Sequence, residues 1–228
     1  MVELITGLQV DAVRANLERI QGEIAAALLR SQPLRAHAGR DEVEVLAATK
    51  YVANEELPVL AEAGVRLVGE NRAQDLETKV AVHGDLFEWD FIGQLQSRRV
   101  RLIVPHVRLI HSIASDSALR ELERHLALAR PGLRILLEVN IAGEEGKAGI
   151  PADEIAAYIA RSPVPVAGLM TMPPLSDNPD DSRRWFAALR ELADTHALAH
   201  LSMGTSQDYL VAVEEGATIV RIGSKLYR

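Results

Sequence analysis

The stretch VEVLAATK, residues 43–50, decides how the chain is expected to fold. Its central residues, 45–48, are apolar with no polar residue between them. A half-exposed strand alternates apolar and polar side chains, so this run predicts a strand buried on both faces, as in a parallel sheet covered by helices. Lys50 follows at the carboxyl end of the strand, which is where α/β proteins gather their ligands.

Lys50 is therefore the first candidate for a functional residue. Partial burial at this edge would favour the neutral form of its amine, because a low dielectric disfavours charge. A neutral amine is what Schiff-base formation with an aldehyde requires. The alternative is a lysine that buries its aliphatic stem and keeps its charged head in water. Position alone favours that alternative, so the rest of the chain has to decide between them.

The composition narrows the classes of protein to consider. The chain has 228 residues, which suits a single α/β barrel, and 48% of them are apolar, enough for a large core. A formal net charge of −7 and an aromatic content of 4% argue against a nucleic-acid-binding surface. The absence of cysteine excludes disulfides, thiol catalysis and thiolate metal sites. With no signal-like start and no stretch of about 18 apolar residues, we expect a soluble, cytoplasmic protein without membrane partners.

Strands and helices are predicted to alternate along most of the chain. The predicted strands are the run ending at Lys50 and residues 65–69, 88–92, 107–113, 133–141, 164–172, 201–204 and 218–223. This alternation specifies an α/β fold, a single-domain (β/α)8 TIM-type barrel over residues 1–228. No long helix is expected after the last strand. We therefore expect the N-terminal helix, residues 8–29, to cover the gap between strands eight and one. Residues 31–40, with Pro33 and Gly39, are expected to form a loop.

Two short polar stretches follow the last two strands, LSMGTS at residues 201–206 and RIGS at residues 221–224. The loops after strands seven and eight are the usual phosphate-binding place in such barrels. Glycine there lets a phosphate approach backbone N–H groups, and hydroxyl groups add donors. Ser206 is also expected to cap the following helix, so that the helix N-terminus would face the anion. The alternative is two ordinary turns with a capping serine.

Other polar residues are predicted to lie near the same edge. Arg221 is near the end of strand eight, where its cation could point into the barrel; the alternative is an ion-paired surface arginine. Asn71 follows strand two and could bond a ligand or cap the next helix. Asn140 precedes the glycine-rich residues 142–149, a candidate lid or a plain solvated loop. The seven histidines form no convincing metal set.

Together these motifs resemble the family of pyridoxal phosphate homeostasis proteins, which are barrels similar to the N-terminal domain of alanine racemase. The resemblance spans about residues 43–224 and rests on ATK at 48–50, VGEN at 68–71, WDFIGQLQ at 89–96, the loop N-I-x-x-E-x-x-K-x-G at 140–149, GLMTM at 168–172, LSMG at 201–204 and VRIGS at 220–224. The chain departs from the family pattern at Asp90, Arg98, Arg99 and Thr205, and it lacks the family's F-G-x-R tail. The changes at Asp90 and the two arginines are expected to alter the rim of the site.

The resemblance implies pyridoxal 5′-phosphate as the cofactor, held as a Schiff base on Lys50, with Arg221 near the pyridine nitrogen. The other site residues that it implies are Asn71 and Met203, which would line the site, and Ser206, Gly223 and Ser224, which would hold the phosphate.

The same resemblance implies a carrier or buffer in intracellular vitamin B6 and amino-acid homeostasis, with cofactor-free pyridoxal phosphate enzymes as acceptors and no turnover. Racemases of this fold use a second acid/base group, a tyrosine on an added domain, and Arg221 would weaken the cofactor as an electron sink. One alternative is a pyridoxal phosphate-dependent racemase-type enzyme in which Tyr51 or another residue of the rim supplies that group. Others are a cofactor-free Schiff-base aldolase and a non-enzymatic interaction module. Because no partner-supplied domain is expected, we expect a monomer.

Overall fold

The computed structural model describes residues 4–35 and 40–228, and its strands form a closed parallel barrel. The strands follow one another around the barrel in sequence order, and the last pairs with the first. Their bounds are β1 (Glu44–Ala48), β2 (Leu67–Glu70), β3 (Glu88–Phe91), β4 (Leu109–Ile113), β5 (Arg134–Glu138), β6 (Val166–Met170), β7 (His200–Thr205) and β8 (Ile219–Ile222). The predicted (β/α)8 barrel is confirmed.

Helices alternate with the strands and surround them. Their bounds are α1 (Val10–Arg35), α2 (Leu57–Glu62), α3 (Ala73–His83), α4 (Val100–Ile103), α5 (Asp116–Arg124), α6 (Ile155–Arg161), α7 (Arg183–Thr195), α8 (Tyr209–Glu214) and α9 (Ser224–Tyr227). Short 3-10 turns lead into four of them, at Asn54–Glu56, Ser97–Arg99, Ala152–Glu154 and Pro179–Ser182. Two more follow α3 and α5, at Gly84–Leu86 and Leu126–Leu128. In the part of the chain that the structure describes, none of the helices has the length and apolar character needed to span a bilayer.

The strands are buried on both faces, as the run at residues 45–48 predicts. Leu46 belongs to a small apolar cluster inside the barrel, together with Leu67, Leu109, Leu136, Met170 and Ile219. Its neighbour Ala47 belongs to the larger cluster that fills the space between strands and helices. Successive side chains of a strand point to opposite faces, so a strand such as β1 contributes to both clusters.

The N-terminal helix covers the gap between the last strand and the first, as expected. Helix α9 is only four residues long, so it leaves part of this side of the barrel uncovered. Helix α1 packs against α8, α9 and α2 through a buried stripe that includes Val13, Leu17, Ile20 and Ile24. The amide of Asn16 also donates to the carbonyl oxygen of Leu226 in α9 at 3.3 Å and to that of Arg228, directly after α9, at 3.1 Å.

The loop predicted for residues 31–40 is wrong for its first half. Helix α1 continues through Pro33 and ends at Arg35. A proline removes one backbone donor, but near the end of a helix that loss is confined to the last turn. The hydroxyl of Ser31 donates to the carbonyl oxygens of Ala27 and Leu28 in the same helix. The remainder of the predicted loop, residues 36–39, lies outside the described residues.

Candidate functional site

The mouth of the barrel is the rim at which the parallel strands end. Lys50 follows β1 and Gly223 follows β8, and these two strands are neighbours, with Ala47 paired to Ile222. A Cβ atom built on Gly223 would lie 4.0 Å from the Cβ of Ala48. The lysine and the glycine therefore occupy adjacent positions on the same rim, as the sequence predicts.

Lys50 lies in a tight turn directly after β1. The N–H of Val52 donates to the carbonyl oxygen of Thr49 at 2.9 Å, which places Lys50 and Tyr51 in the middle of the turn. The Lys50 side chain is exposed, and its Nζ lies 4.8 Å from the centre of the Tyr51 ring. The partial burial expected for Lys50 is therefore wrong. Because the side chain is exposed at the end of the strand, its amine is accessible to a dissolved ligand.

Backbone hydrogen bonds from the N-terminal residues also hold this turn in place. The N–H of Ile5 donates to the carbonyl oxygen of Tyr51 at 2.7 Å, and the N–H of Ala53 donates back to Ile5 at 3.0 Å. The Glu56 carboxylate accepts from the N–H groups of Gly7 and Leu8, at 2.6 and 2.9 Å. The backbone around Lys50 is thus held on both sides.

The loops after β7 and β8 meet at the mouth. The N–H of Gly223 donates to the hydroxyl of Ser206 at 3.1 Å, and Ser224 is exposed at the start of α9. Ser206 does not cap the following helix as expected. Asp208 directly precedes α8, and its Oδ1 accepts from the N–H and the hydroxyl of Thr205, at 2.8 and 3.0 Å. Ser206 is therefore left to join the two loops.

This pair of loops fits a phosphate group. The Ser206 and Ser224 hydroxyls supply donors, as phosphate oxygens require. The space beside Gly223 is open, because only the Ala48 side chain would come within 4 Å of an added Cβ atom. A small anion could therefore approach the backbone at Gly223. The side chain of any larger residue at this position would occupy that space.

Arg221 provides a fixed cation just below the mouth. Its side chain is buried. Nη1 donates to the carbonyl oxygen of Ser202 at 2.9 Å and to the Ser202 hydroxyl at 2.6 Å. Nη2 donates to the carbonyl oxygen of Thr171 at 3.0 Å. Burial lowers the pKa of Arg221 to about 10, and the attraction of Asp208 and Glu138 opposes that shift only in part. The side chain therefore remains charged at neutral pH. It is neither at the surface nor in a direct ion pair among the described residues.

A continuous line of hydrogen bonds, which we call the interior chain, connects Arg221 with the inside of the barrel. Its members are Arg221, Ser202, His111, Asp90 and Arg108. Ser202 Oγ lies 2.8 Å from His111 Nδ1, and His111 Nε2 lies 3.1 Å from Asp90 Oδ2. Arg108 donates from Nε to Asp90 Oδ1 at 2.9 Å. Asp90 is completely buried inside the barrel, so the expectation that it alters the rim is wrong.

His111 sets the direction of this chain. Burial lowers its pKa, and this effect outweighs the attraction of Asp90, so the imidazole is neutral at pH 7. With the proton on Nε2, His111 donates to Asp90 and accepts from the Ser202 hydroxyl. That hydroxyl in turn accepts from Arg221. Every donor in the chain then faces an acceptor, as a buried polar network requires.

Asn71 presents an unpaired polar atom near the mouth. Its Oδ1 is buried and has no hydrogen-bond partner among the residues that the structure describes. Arg72 occupies the position before α3, so Asn71 does not cap that helix. The backbone of Gly93 lies so close that an added Cβ would fall 2.0 Å from the Asn71 carbonyl oxygen. Capping of α3 is therefore the wrong one of the two roles considered for Asn71, and contact with a ligand stays a prediction.

Met203 lies close to the mouth in sequence, but its side chain is not part of it. The side chain is completely buried in the large cluster between strands and helices. The preceding residue, Ser202, points into the barrel, where it contacts His111 and Arg221. Strand alternation therefore turns Met203 outward. Any contribution of Met203 to a ligand site would come from its backbone.

The glycine-rich loop after β5 is closed by its own hydrogen bonds. The Asn140 amide donates to the carbonyl oxygen of Glu144 at 2.8 Å and accepts from its N–H at 3.1 Å. Lys147 forms an ion pair with the Glu144 side chain. The Asn140 side chain thus shapes this loop.

A second buried cluster lies behind the Lys50 turn and has no counterpart in the sequence-based predictions. Glu70 ends β2 within the GEN motif, and Lys79 lies in α3. Lys79 Nζ donates to Glu70 Oε1 at 2.6 Å and to the carbonyl oxygen of Thr49 at 2.8 Å. We call Glu70 and Lys79 the outer pair, because they lie on the outer face of the strands. The carboxylate of Glu70, at the end of a buried strand, is the sequence signal that could have identified the outer pair.

Comparisons with known proteins agree with this fold. The family described as alanine racemase, N-terminal domain, matches residues 8–228. A pyridoxal phosphate homeostasis protein of Aquifex aeolicus is 40% identical over 217 residues, covering 90% of this chain and 95% of the relative. The structure of PipY from Synechococcus elongatus with PLP bound has a TM-score of 0.71 and 29% identity, covering 89% of this chain and all of that one (100%). An unknown protein from Bifidobacterium adolescentis has a TM-score of 0.82 and 29% identity, covering 99% of this chain and 98% of that one.

Proposed function

The chain belongs to the family of pyridoxal phosphate homeostasis proteins, and from this membership we propose that it binds pyridoxal 5′-phosphate at the mouth of its barrel. PipY, a structural neighbour, has been solved with this cofactor. The observation that carries the proposal is the shared rim: the Lys50 amine follows β1, Gly223 and Ser224 follow the adjacent β8, and the Ser206 hydroxyl follows β7 on the far side of β8.

We assign the residues of the mouth to the parts of the cofactor. When bound, pyridoxal phosphate supplies an aldehyde carbon that a neutral lysine amine can link as C=N with release of water. Lys50 is the covalent attachment, since its exposed amine is free to reach a ligand. Asn71 Oδ1 lines the site, and any part played by Met203 is through its backbone. The residues that hold the phosphate are Ser206, Gly223 and Ser224.

Arg221 supports a carrier or buffer function in vitamin B6 and amino-acid homeostasis. Its cation is held in place by Ser202 and by the Thr171 carbonyl group, and it stays charged at neutral pH. A positive charge facing a pyridine nitrogen disfavours protonation of that nitrogen, and an unprotonated ring is a weak electron sink. The residues at the mouth are therefore better suited to holding and releasing the cofactor than to amino-acid chemistry.

The second candidate is a racemase-type enzyme with Tyr51 as the acid/base group. The observation in its favour is that the exposed Tyr51 ring lies beside the Lys50 amine. Polarimetry of the cofactor-loaded protein with L-alanine and with L-serine separates the two candidates. We expect the optical rotation to stay constant over hours, whereas a rapid loss would establish the racemase.

We further propose that residues 1–228 act as one domain and that a single copy suffices for binding. All the residues assigned above come from one chain, and none needs a partner subunit. We propose as acceptors pyridoxal phosphate-dependent enzymes that lack their cofactor, and the cytoplasm as the compartment in which the carrier acts. Light scattering after size exclusion tests the monomer, and reactivation of a cofactor-free enzyme tests the transfer.

The visible absorbance of the protein incubated with pyridoxal 5′-phosphate and then desalted tests the proposed function. We expect wild type to keep the band of lysine-bound cofactor and Lys50→Ala to lose it. Lys225→Ala, which changes a lysine one position beyond Ser224, is the matched control and should keep the band. A colourless wild-type protein that instead cleaves a sugar phosphate would establish the cofactor-free aldolase.

A further inference from the structure

The outer pair makes direct contact with the peptide group that carries Lys50. The Thr49 carbonyl oxygen belongs to the peptide bond whose nitrogen is that of Lys50. This oxygen accepts from Lys79 Nζ at 2.8 Å and from the Val52 N–H at 2.9 Å. The second of these bonds closes the turn that presents Lys50. The ammonium group of Lys79 therefore reinforces the turn at its closing hydrogen bond.

Glu70 holds Lys79 in the position needed for this contact. Its Oε1 accepts from Lys79 Nζ at 2.6 Å and from the Thr49 hydroxyl at 2.7 Å. Both partners of the pair are buried, with side chains 0% exposed for Glu70 and 8% for Lys79. Thr49 thus forms two hydrogen bonds with the pair: its hydroxyl donates to the Glu70 carboxylate, and its carbonyl oxygen accepts from the Lys79 ammonium group.

Stability does not account for a pair of this kind. A buried ion pair gives little net stability relative to apolar side chains of similar volume, because both charges lose their hydration. The second carboxylate oxygen, Glu70 Oε2, is buried with no hydrogen-bond partner among the described residues. An unsatisfied buried oxygen costs further free energy. The pair is consequently better explained by the geometry that it imposes on Thr49.

The carbonyl group before Thr49 is fixed in a similar way. The hydroxyl of Tyr227, in α9, donates to the carbonyl oxygen of Ala48 at 3.2 Å. The two carbonyl groups that precede Lys50 are therefore both bonded by side chains from helices outside the barrel. Lys79 also lines a cavity together with Lys50 and Tyr51, and its bond to the Thr49 carbonyl group acts on the backbone of Lys50.

We infer that Glu70 and Lys79 are positioning residues for Lys50: by fixing the Thr49 carbonyl group, the pair sets the direction from which the Lys50 amine meets an aldehyde. This inference rests on the proposed function, since it assigns the pair a role in the capture of pyridoxal 5′-phosphate. A less constrained turn would spend only part of its time with the amine aimed at the mouth, and the rate of capture would fall by that fraction.

The double variant Glu70→Gln/Lys79→Met separates positioning from stability. It removes both charges at nearly constant volume and retains a Gln oxygen for the Thr49 hydroxyl, but it removes the donor to the Thr49 carbonyl. We expect its melting temperature to stay close to that of wild type. The rate at which 5 to 50 equivalents of pyridoxal 5′-phosphate generate the lysine-bound band should fall about tenfold, the factor that corresponds to one hydrogen bond to a charged group.

Two matched variants make the result specific. Glu70→Gln alone keeps the ammonium group of Lys79 and only weakens the bond that orients it, so its rate of capture should lie between those of wild type and the double variant. Glu215→Gln/Arg190→Met likewise removes both charges of an ion pair, which Glu215, directly after α8, forms with Arg190 in α7. That control should leave the rate of capture unchanged, whatever it does to the melting temperature.

The possible results lead to different conclusions. Capture by Glu70→Gln/Lys79→Met at the wild-type rate would overturn the inference and leave the proposed function intact. Wild type that captures no cofactor would overturn both. Equal slowing in Glu70→Gln/Lys79→Met and in the Glu215 control would show a general effect of lost ion pairs and would also overturn the inference. If the double variant is insoluble, Glu70→Gln/Lys79→Leu provides the same comparison.

Discussion

Two buried polar clusters approach the mouth from opposite faces of the same barrel wall. The interior chain runs through the inside of the barrel and ends at Arg221, and each of its donors faces an acceptor. The outer pair lies between the strands and α3 and ends at the Thr49 carbonyl group, with one carboxylate oxygen unpaired. One cluster holds a cation below the site, and the other holds the backbone beside it.

The difference between the clusters indicates what each does for the protein. A fully satisfied network inside a barrel contributes to stability and fixes its members in one arrangement. An incompletely satisfied pair contributes less to stability, so its value lies in the position that it enforces. We therefore expect changes in the interior chain to act mainly on folding and changes in the outer pair to act mainly on capture of the cofactor.

The largest expected effect on folding comes from Asp90→Leu. The variant removes the fully buried carboxylate that pairs with the half-buried Arg108 and accepts from His111, and in the described part of the chain it leaves Arg108 with Glu44 as its charged partner. We expect a loss of about 3 kcal/mol in the free energy of unfolding, measured by urea denaturation. Asp11→Ala breaks an exposed ion pair with Arg14 and should cost less than about 0.5 kcal/mol. Equal losses in the two variants would contradict the role given to the interior chain.

Ser202→Ala should have the next largest effect. Its hydroxyl lies between His111 Nδ1 and Arg221, so the variant leaves a buried ring nitrogen without its donor. We expect a loss of about 2 kcal/mol in the free energy of unfolding of the cofactor-free protein. Thr195→Ala removes a hydroxyl that only bonds its own helix at the surface and serves as the control. A loss in Ser202→Ala no greater than in this control would show that the chain is not continuous at Ser202.

The pH dependence of stability tests the protonation of the chain. Because the pKa of His111 is lowered in the folded state, the unfolded protein binds more protons below about pH 6.5 and stability falls as the pH decreases. One such histidine changes the free energy of unfolding by up to about 1.4 kcal/mol per pH unit. His111→Gln should therefore show a shallower decline between pH 7 and pH 5 than wild type. The pKa of His200 is also lowered by burial, so some decline should remain in the variant. Parallel curves for wild type and His111→Gln would mean that folding does not lower the pKa of His111 and would contradict the protonation assigned to the chain.

The smallest effect is expected at the mouth itself. Ser224→Ala removes one exposed hydroxyl from the proposed phosphate site and should weaken retention of pyridoxal 5′-phosphate by about 1 kcal/mol, roughly fivefold. Dialysis followed by absorbance measures the retained fraction. The free energy of unfolding of the cofactor-free variant should match that of wild type, which would distinguish this residue from Ser202. Unchanged retention would remove Ser224 from the site.

The fold and the positions of several site residues could be predicted from the sequence because both follow from the alternation of strands and helices. A residue that directly follows a parallel strand reaches the mouth whatever its neighbours are, and this holds for Lys50 and Gly223. Met203 was misplaced because a motif shows which residues are close in the chain, whereas strand alternation decides which of them point inward. That alternation was available in the sequence.

The two polar clusters could not be predicted, because their contacts join residues far apart in the chain. His111 meets Ser202 across 91 positions, and Lys79 meets Thr49 across 30. Asp90 was recognised only as a departure from a motif, and nothing local shows that it lies within the barrel beside Arg108. Such pairings depend on the register and closure of the whole sheet.

Identification of the lysine that captures the cofactor tests the central claim most directly. The chain contains four lysines, at positions 50, 79, 147 and 225. Wild-type protein loaded with pyridoxal 5′-phosphate, reduced with borohydride and digested would reveal the labelled residue by mass spectrometry. The arrangement of the mouth predicts stoichiometric label on Lys50. Label on Lys79, Lys147 or Lys225 instead, or no label at all, would contradict it.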